Sequence, residues 1–279
     1  MRKVIALDIG GTNTRVALIN EKFELETVLI KDTVTGNKEA FLASVSSIVE
    51  EAVPDRSEVI AIAAGVPGRV RFDGYIEALP NVGISEIPLS SYLSSYFGIP
   101  AYVRNDAEVA ALAEANVGPN AVYHSLYFVT VSTGVGGALT IDGKLAFSSS
   151  EVGHTATSYK GDIHEFEQLC SGSYLKRFCH LNDLEVANSK EFFELVQAKD
   201  EHALRVYQDW LRLFSGWIKM NQEAFQPEVF AFTGGVMKSK DIFFKDLQAA
   251  CPFAHLVECG CGQYAGLIGA GVFGFQSQS

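Results

Sequence analysis

The chain has few cysteines, fewer basic than acidic residues, and no long apolar run. Its five cysteines are an odd, scattered set, which favours a reducing cytoplasm over a disulfide framework. With 33 acidic against 22 basic residues, the formal charge of −11 disfavours binding to nucleic acid or to an anionic membrane. The composition therefore favours chemistry on small molecules.

No segment has the length of a membrane span. The glycine-rich stretch "YAGLIGAGVFGF" (264–275) is shorter than the roughly 20 residues that a span needs, so it predicts a buried helix. The start, "MRKVIALD", is too short an apolar run for a signal peptide. We therefore expect a cytoplasmic protein.

Cys259 and Cys261 form a C-x-C pair without partner ligands, and two buried thiols are favoured over a metal or redox role.

Strands and helices alternate along the chain. Apolar runs predict strands over residues 4–8, 15–19, 25–30, 59–64, 101–104, 126–131, 137–141, 229–232 and 255–258. Helical spacing predicts helices over residues 38–52, 87–97, 106–116, 165–179, 190–196, 201–225 and 241–250. The segments "LDIGGTNTRVALI" and "VTVSTGVGGALTI" share a strand, a Gly/Thr-rich turn and a second strand. This internal repeat predicts two related α/β halves facing a cleft.

The first glycine turn follows an aspartate inside a strand. Asp8 is costly there unless it has a function, and the backbone of Gly10, Gly11 and Thr12 could approach an anion closely. The sequence has no G-x-x-x-x-G-K-[ST] loop, so no loop lysine would offset a phosphate charge. Mg²⁺ held by Asp8, often through water, would do so. The alternative is an ordinary hairpin with a turn-capping aspartate.

Two further glycine turns strengthen the phosphate interpretation. Thr133 and Gly134 begin the second turn, so two turns could hold one nucleotide from both sides. Gly234 and Gly235 follow the strand "VFAF", where the backbone could pass close to a nucleoside.

Nine motifs occur in an order that points to one family. They are "DIGGTNTR", "GVPGRV", "LPNVG", "NDAEVAALAE", "STGVGG", "EVGH", "EQLCSG", "FTGGV" and "YAGLIGAG". With these motifs the chain resembles the ROK family of sugar kinases, within the actin/hexokinase-like ATPase superfamily. The resemblance implies two actin/hexokinase-like (RNase H-like) α/β domains around a central cleft. It also implies ATP-dependent phosphorylation of a hexose or N-acetylhexosamine hydroxyl, Mg²⁺, and usually a homodimer.

The resemblance also assigns roles to individual residues. Asp8 would face Mg²⁺, with Gly10, Gly11, Thr12, Thr133 and Gly134 on the phosphates and Gly234 and Gly235 on the adenosine. The implied sugar-binding residues are Gly65, Asn81, Asn105, Asp106, Glu151, His154 and Glu167. Asp106 matches the catalytic base.

Each sugar-side residue also has a structural interpretation. Asn105 and Glu108 fit a capping box at a helix start, and Asp106, the next residue, can point its carboxylate into a cleft. Without the resemblance to the family, Glu151 would be interpreted as a surface glutamate and His154 as a structural histidine. Glu167, on a predicted helix, would be solvated.

The chain departs from the family at two places. Many members carry C-x-C-G-x-x-G-C after the "GH", whereas this interval reads "TATSYKGDIHEF" and holds no cysteine. A structural zinc ion needs about four N/S ligands, and His154 with His164 does not supply them, so we expect no zinc. The family's Asn-Leu-x-x-Trp motif is also altered. Asn81 is present, but Val82 and Ser85 stand at the positions of the leucine and the tryptophan. The identity of the sugar therefore stays open.

We expect a smaller first domain over residues 1–104, completed by the C-terminal helix 263–275, and a larger second domain over 105–262. Three other functions remain as alternatives. One is a non-catalytic, regulator-like sugar-binding protein, which the net charge and the absence of a preceding DNA-binding segment disfavour. The others are an inactive scaffold and an ATPase or phosphatase on the same fold.

Overall fold

The computed structural model describes residues 2–146 and 151–278, which form two compact units. Of the described residues, the first comprises 2–122, 140–146 and 260–278, and the second comprises 123–139 and 151–259. The first unit thus continues beyond residue 104, where the sequence predicts a boundary, and it includes the C-terminal segment.

The first unit is built on a mixed sheet. Its elements up to residue 116 are β1 (Lys3–Ile9), β2 (Asn13–Asn20), β3 (Leu25–Asp32), α1 (Lys38–Ala52), β4 (Val59–Val66), β5 (Arg69–Val70), β6 (Ile76–Leu79), β7 (Ile84–Ile87), α2 (Leu89–Phe97), β8 (Ala101–Asn105) and α3 (Asp106–Asn116). The main sheet has the order β3-β2-β1-β4-β8, with β1, β4 and β8 parallel and the β1–β2–β3 meander antiparallel. Strands β5, β6 and β7 form a separate small sheet.

The remaining elements repeat this plan. They are β9 (Ser125–Val131), β10 (Val135–Ile141), β11 (Lys144–Leu145), β12 (Ala156–Tyr159), β13 (Asp162–Glu165), α4 (Glu167–Cys170), α5 (Leu175–His180), α6 (Ser189–Gln197), α7 (Glu201–Phe225), β14 (Val229–Thr233), α8 (Lys240–Ala250), β15 (Leu256–Glu258) and α9 (Ala265–Gln276). The second sheet has the order β11-β10-β9-β14-β15, again a strand–turn–strand start followed by parallel strands. The predicted internal repeat is confirmed at the level of sheet order.

The long periodic segments are confirmed as helices. The predicted bounds of α1, α3 and α7 match the structure residue for residue. Each of these helices has a side-chain cap that accepts a hydrogen bond from a backbone amide of its first turn: Asn37, Asn105 and Asp200 respectively.

The helix predicted over residues 165–179 is wrong as a single element. The segment contains the end of β13 and the two short helices α4 and α5. The chain breaks at Ser171, which is extended, and the Gly172 amide donates to the carbonyl of Ser132 at 2.7 Å. A tertiary hydrogen bond therefore replaces the helical one at this point.

The predicted buried helix at the C-terminus is α9. It packs against α3 so closely that a Cβ on Gly269 would lie 1.6 Å from the Val109 carbonyl oxygen. Among the described residues, no helix is long and apolar enough to cross a membrane.

A buried carboxylate ties α3 to the segment that leads into α9. Glu114 is fully buried, and it accepts hydrogen bonds from the backbone amides of Gly260 and Cys261 and from Asn120. Burial, together with the nearby Glu114 carboxylate, raises the pKa of the Cys261 thiol to about 12. Cys261 therefore stays a thiol at neutral pH, which supports two half-buried thiols at Cys259 and Cys261 over a redox or metal pair.

Replacing this carboxylate should destabilise the first unit. We expect Glu114→Ala to lower the free energy of unfolding by about 2–3 kcal/mol, because the buried Asn120 side chain and two part-buried backbone amides lose a charged acceptor. Denaturant unfolding measures the effect. The matched control is Glu223→Ala on the exposed face of α7, which should change stability by less than about 0.5 kcal/mol. Equal effects of the two substitutions would contradict the anchoring role of Glu114.

Candidate active site

Asp8 lies on β1 with its side chain 22% exposed. Its strand neighbours are Arg15 on β2 and Gly65 on β4. The guanidinium of Arg15 lies 3.3 Å from Asp8 Oδ2. Burial raises the pKa of Asp8, and Arg15 opposes that rise.

The Asp8 carboxylate uses one of its two oxygens in the contact with Arg15. Its Oδ1 accepts no hydrogen bond from the described residues. The start of α9 passes so close that a Cβ on Gly266 would lie 2.7–2.9 Å from the carboxyl group. Carboxylate oxygens suit Mg²⁺, so the side chain fits the predicted role.

The first glycine turn joins β1 to β2 and is fixed by Thr33. The Thr33 hydroxyl donates to the Gly10 carbonyl at 2.8 Å, and its amide donates to the Thr12 carbonyl at 2.8 Å. The amides of Gly11 and Thr12 have no acceptor among residues 2–146 and 151–278. Successive unpaired amides can bind an anion, which is the function that the sequence predicts for this turn. A Cβ on Gly11 would lie 2.8 Å from that of Asn81, so the turn packs directly on this predicted sugar residue.

The start of α3 carries the predicted base. The capping box of Asn105 and Glu108 is confirmed, and the Asn105 side-chain amide also donates to the Gly68 carbonyl at 3.0 Å. Asp106, the first residue of the helix, is exposed, and its Oδ1 accepts from the Ala107 amide at 2.8 Å. A Cβ on Gly65 would lie 2.5 Å from the side chain of Val109, so glycine lets α3 lie directly on β4.

The second glycine turn joins β9 to β10. It is fixed from the end of α4, where the Ser171 hydroxyl donates to the Thr133 carbonyl at 2.9 Å. The amides of Thr133 and Gly134 have no acceptor within the described part of the chain. This turn therefore presents two successive amides, as the first turn does.

The third glycine pair lies beside the second turn. Gly234 has a φ of 104°, and a Cβ there would lie 2.4 Å from the Val131 carbonyl oxygen at the end of β9. Gly235 opens the 3₁₀ helix Gly235–Ser239 and lines a cavity of about 580 Å³. Other residues of this 3₁₀ helix, together with residues of α6 and α8, form the rest of its wall. The cavity has the volume of a small-molecule site.

Among the sugar-side residues of the second unit, Glu167 lies beside His154. Glu151 precedes the 3₁₀ helix Val152–His154. Glu167 has a side chain only 19% exposed, and its Oε2 accepts from the Val135 amide at 3.1 Å, so it is not the solvated glutamate of the structural alternative. Its Oε1 lies 3.8 Å from His154 Nε2.

The structure adds Glu165 to this group. Its Oε1 lies 3.9 Å from His154 Nδ1, and with Glu167 it completes a set of three side chains whose ligand atoms lie within 4.8 Å of one another. Sequence analysis did not select Glu165. The sequence feature that could have identified Glu165 is Lys160-Gly161, a pair typical of a hairpin turn. The hairpin that it closes pairs Ala156 with Glu165.

The chain is similar to known proteins along most of its length. The sequence profile of the ROK family matches residues 4–272. The chain belongs to the ROK family. A glucokinase of Halalkalibacterium halodurans is 26% identical over 282 residues, covering 88% of this chain and 84% of that protein. An N-acetyl-D-glucosamine kinase of Histophilus somni is 28% identical over 272 residues, covering 90% and 88%.

A solved structure agrees with the sequence matches. The crystal structure of a ROK hexokinase from Thermus thermophilus has 26% identity and a TM-score of 0.87, covering 99% of each chain. The predicted family and the two-domain actin/hexokinase-like α/β fold are confirmed. The residue roles and the domain bounds stay predictions.

Proposed function

We propose that this protein phosphorylates a hydroxyl of a hexose or N-acetylhexosamine with ATP. The observation that carries the proposal is the pair of glycine turns, each presenting two successive backbone amides without an acceptor among the described residues. ROK relatives named as a glucokinase and an N-acetyl-D-glucosamine kinase supply the substrate class.

The nucleotide would be held mainly by backbone. Gly11 and Thr12 in one turn and Thr133 and Gly134 in the other bind phosphate oxygens through their amides. The adenosine occupies the cavity of about 580 Å³ beside Gly235. When bound at Asp8, Mg²⁺ would neutralise charge on the phosphates.

The sugar would be held by side chains. Asn81 and Asn105, together with Glu151, His154 and Glu167, offer the acceptors and donors that hydroxyl groups require. The Asp106 carboxylate takes the proton of the attacking hydroxyl. Asn105 caps α3 and so fixes the backbone on which Asp106 lies.

The proposal is tested by measuring ADP release with a panel of hexoses and N-acetylhexosamines. We expect ADP release that requires one of these sugars. ATP hydrolysis at the same rate without sugar would favour the ATPase alternative, and retention on DNA without turnover would favour the regulator-like alternative.

The proposal also specifies the metal content and the assembly. We expect the purified protein to carry no stoichiometric zinc, since the interval after His154 holds no cysteine and a structural zinc needs about four N/S ligands. Elemental analysis measures this, and about one zinc per chain would contradict it. We further propose that the protein is a cytoplasmic homodimer, which light scattering on the purified chain tests for assembly.

A further inference from the structure

The imidazole of His154 lies between two carboxylates, one opposite each ring nitrogen. Glu165 Oε1 is 3.9 Å from Nδ1, and Glu167 Oε1 is 3.8 Å from Nε2. Only Glu167 belongs to the sugar-binding residues assigned above.

Both carboxylates are held by their other oxygen. Glu165 Oε2 accepts a hydrogen bond from the Gln168 side chain at 3.3 Å. Glu167 Oε2 accepts from the Val135 amide at 3.1 Å. In each glutamate Oε2 is engaged by the protein, and Oε1 is the oxygen that lies nearest to the imidazole.

The β12–β13 hairpin places Glu165 there. Ala156, two residues after His154, pairs with Glu165, and the Phe166 amide donates to the Thr155 carbonyl at 2.9 Å. The ends of the hairpin thereby join His154 to Glu165 across eleven positions of sequence.

We propose that Glu165 is a positioning residue that holds the imidazole proton of His154 on Nδ1. The effect of Glu165 on sugar binding rests on the proposed sugar kinase function. With the proton on Nδ1, Nε2 is an acceptor facing Glu167. Nε2 and Glu167 Oε1 are then both acceptors, and neighbouring hydroxyls of a sugar can donate to each of them.

Without the Glu165 carboxylate, the imidazole proton prefers Nε2 to Nδ1. The negative charge of Glu167 then attracts the proton to Nε2, and a small movement across 3.8 Å lets His154 donate to Glu167. The His154 imidazole and the Glu167 carboxylate would then be hydrogen-bonded to each other, and neither could accept from a sugar hydroxyl. Glu165 thus keeps the pair available for substrate.

The ligand atoms of the three side chains lie within 4.8 Å of one another, so a bound metal ion is the alternative to a held proton. The two carboxylates face different nitrogens of the ring, whereas one ion binds a histidine through one nitrogen. An ion on the Nε2 side would therefore leave Glu165 opposite the nitrogen that does not bind it.

The test combines a spectroscopic and a kinetic measurement on the full chain. Protein labelled with ¹⁵N-histidine is studied at about pH 8, where ordinary imidazoles are neutral. The nitrogen shifts identify which ring nitrogen carries the proton, and His154→Gln assigns the signal. The variants are Glu165→Gln and the matched control Asp162→Asn, which removes an exposed carboxylate from the same strand.

We expect the Nδ1–H form in the wild type and in Asp162→Asn, and the Nε2–H form in Glu165→Gln. The sugar KM of Glu165→Gln should rise on the order of 10-fold, which is the effect of one charge-assisted hydrogen bond, with kcat and the ATP KM little changed. The same tautomer in wild type and Glu165→Gln would overturn the inference, as would a stoichiometric metal ion at His154. Absence of sugar turnover in the wild type would instead contradict the proposed function, so the two failures are distinguishable.

Discussion

Asp106→Asn is expected to lower kcat by about 10²–10⁴-fold, the usual contribution of a general base. Asparagine keeps the size of the side chain and one acceptor oxygen for the Ala107 amide, but it cannot take a proton. Sugar and ATP should still bind, because the glycine turns and Glu151, His154 and Glu167 are unchanged. Steady-state kinetics, sugar affinity and the melting temperature are measured on the one variant.

The capping interpretation of Asp106 predicts a different result. Asparagine caps helices about as well as aspartate does, so a purely structural Asp106 would leave both turnover and stability near wild type. The control is Glu201→Gln, which also neutralises an exposed carboxylate at the first residue of a helix, here α7. Turnover of Asp106→Asn equal to that of this control would remove Asp106 from the catalytic role.

Asp8→Asn is expected to lower kcat by about 10²–10³-fold and to raise the Mg²⁺ concentration needed for activity. A bound cation contributes several kcal/mol of charge stabilisation to such a reaction, and the substituted amide side chain would hold it with a neutral oxygen. Rates are measured against Mg²⁺ concentration for the variant and for Asp32→Asn, an exposed carboxylate at the end of β3 in the same sheet. Wild-type activity that survives complete chelation of Mg²⁺ would contradict the role given to Asp8.

Much of the fold could be predicted because local signals agreed with tertiary structure. In α1 and α7 the apolar period and the capping residue point to the same start, and in α3 the capping box marks the start, so the bounds follow from the sequence. The short strands of the β5–β6–β7 sheet and the β12–β13 hairpin have at most four residues each, too few for a clear period.

The site was predictable where chemistry is local and unpredictable where it depends on distant contacts. The glycine turns can be recognised in the sequence because their residues are adjacent. Both turns present amides that have no acceptor among the residues that the structure describes. Thr33 lies more than twenty positions from the Gly10 carbonyl that it binds, and Glu165 meets His154 only because a hairpin closes. The break at Ser171 likewise depends on Ser132, which no local propensity encodes.

The transfer of the terminal phosphoryl group to a sugar is the central claim, and ³¹P NMR of the reaction tests it most directly. With Mg²⁺, ATP and a sugar that supports ADP release, the account predicts that the γ-phosphate signal is replaced by a sugar phosphate ester in a one-to-one ratio with ADP. Inorganic phosphate as the product, or an unchanged ATP spectrum with every hexose and N-acetylhexosamine, would contradict it.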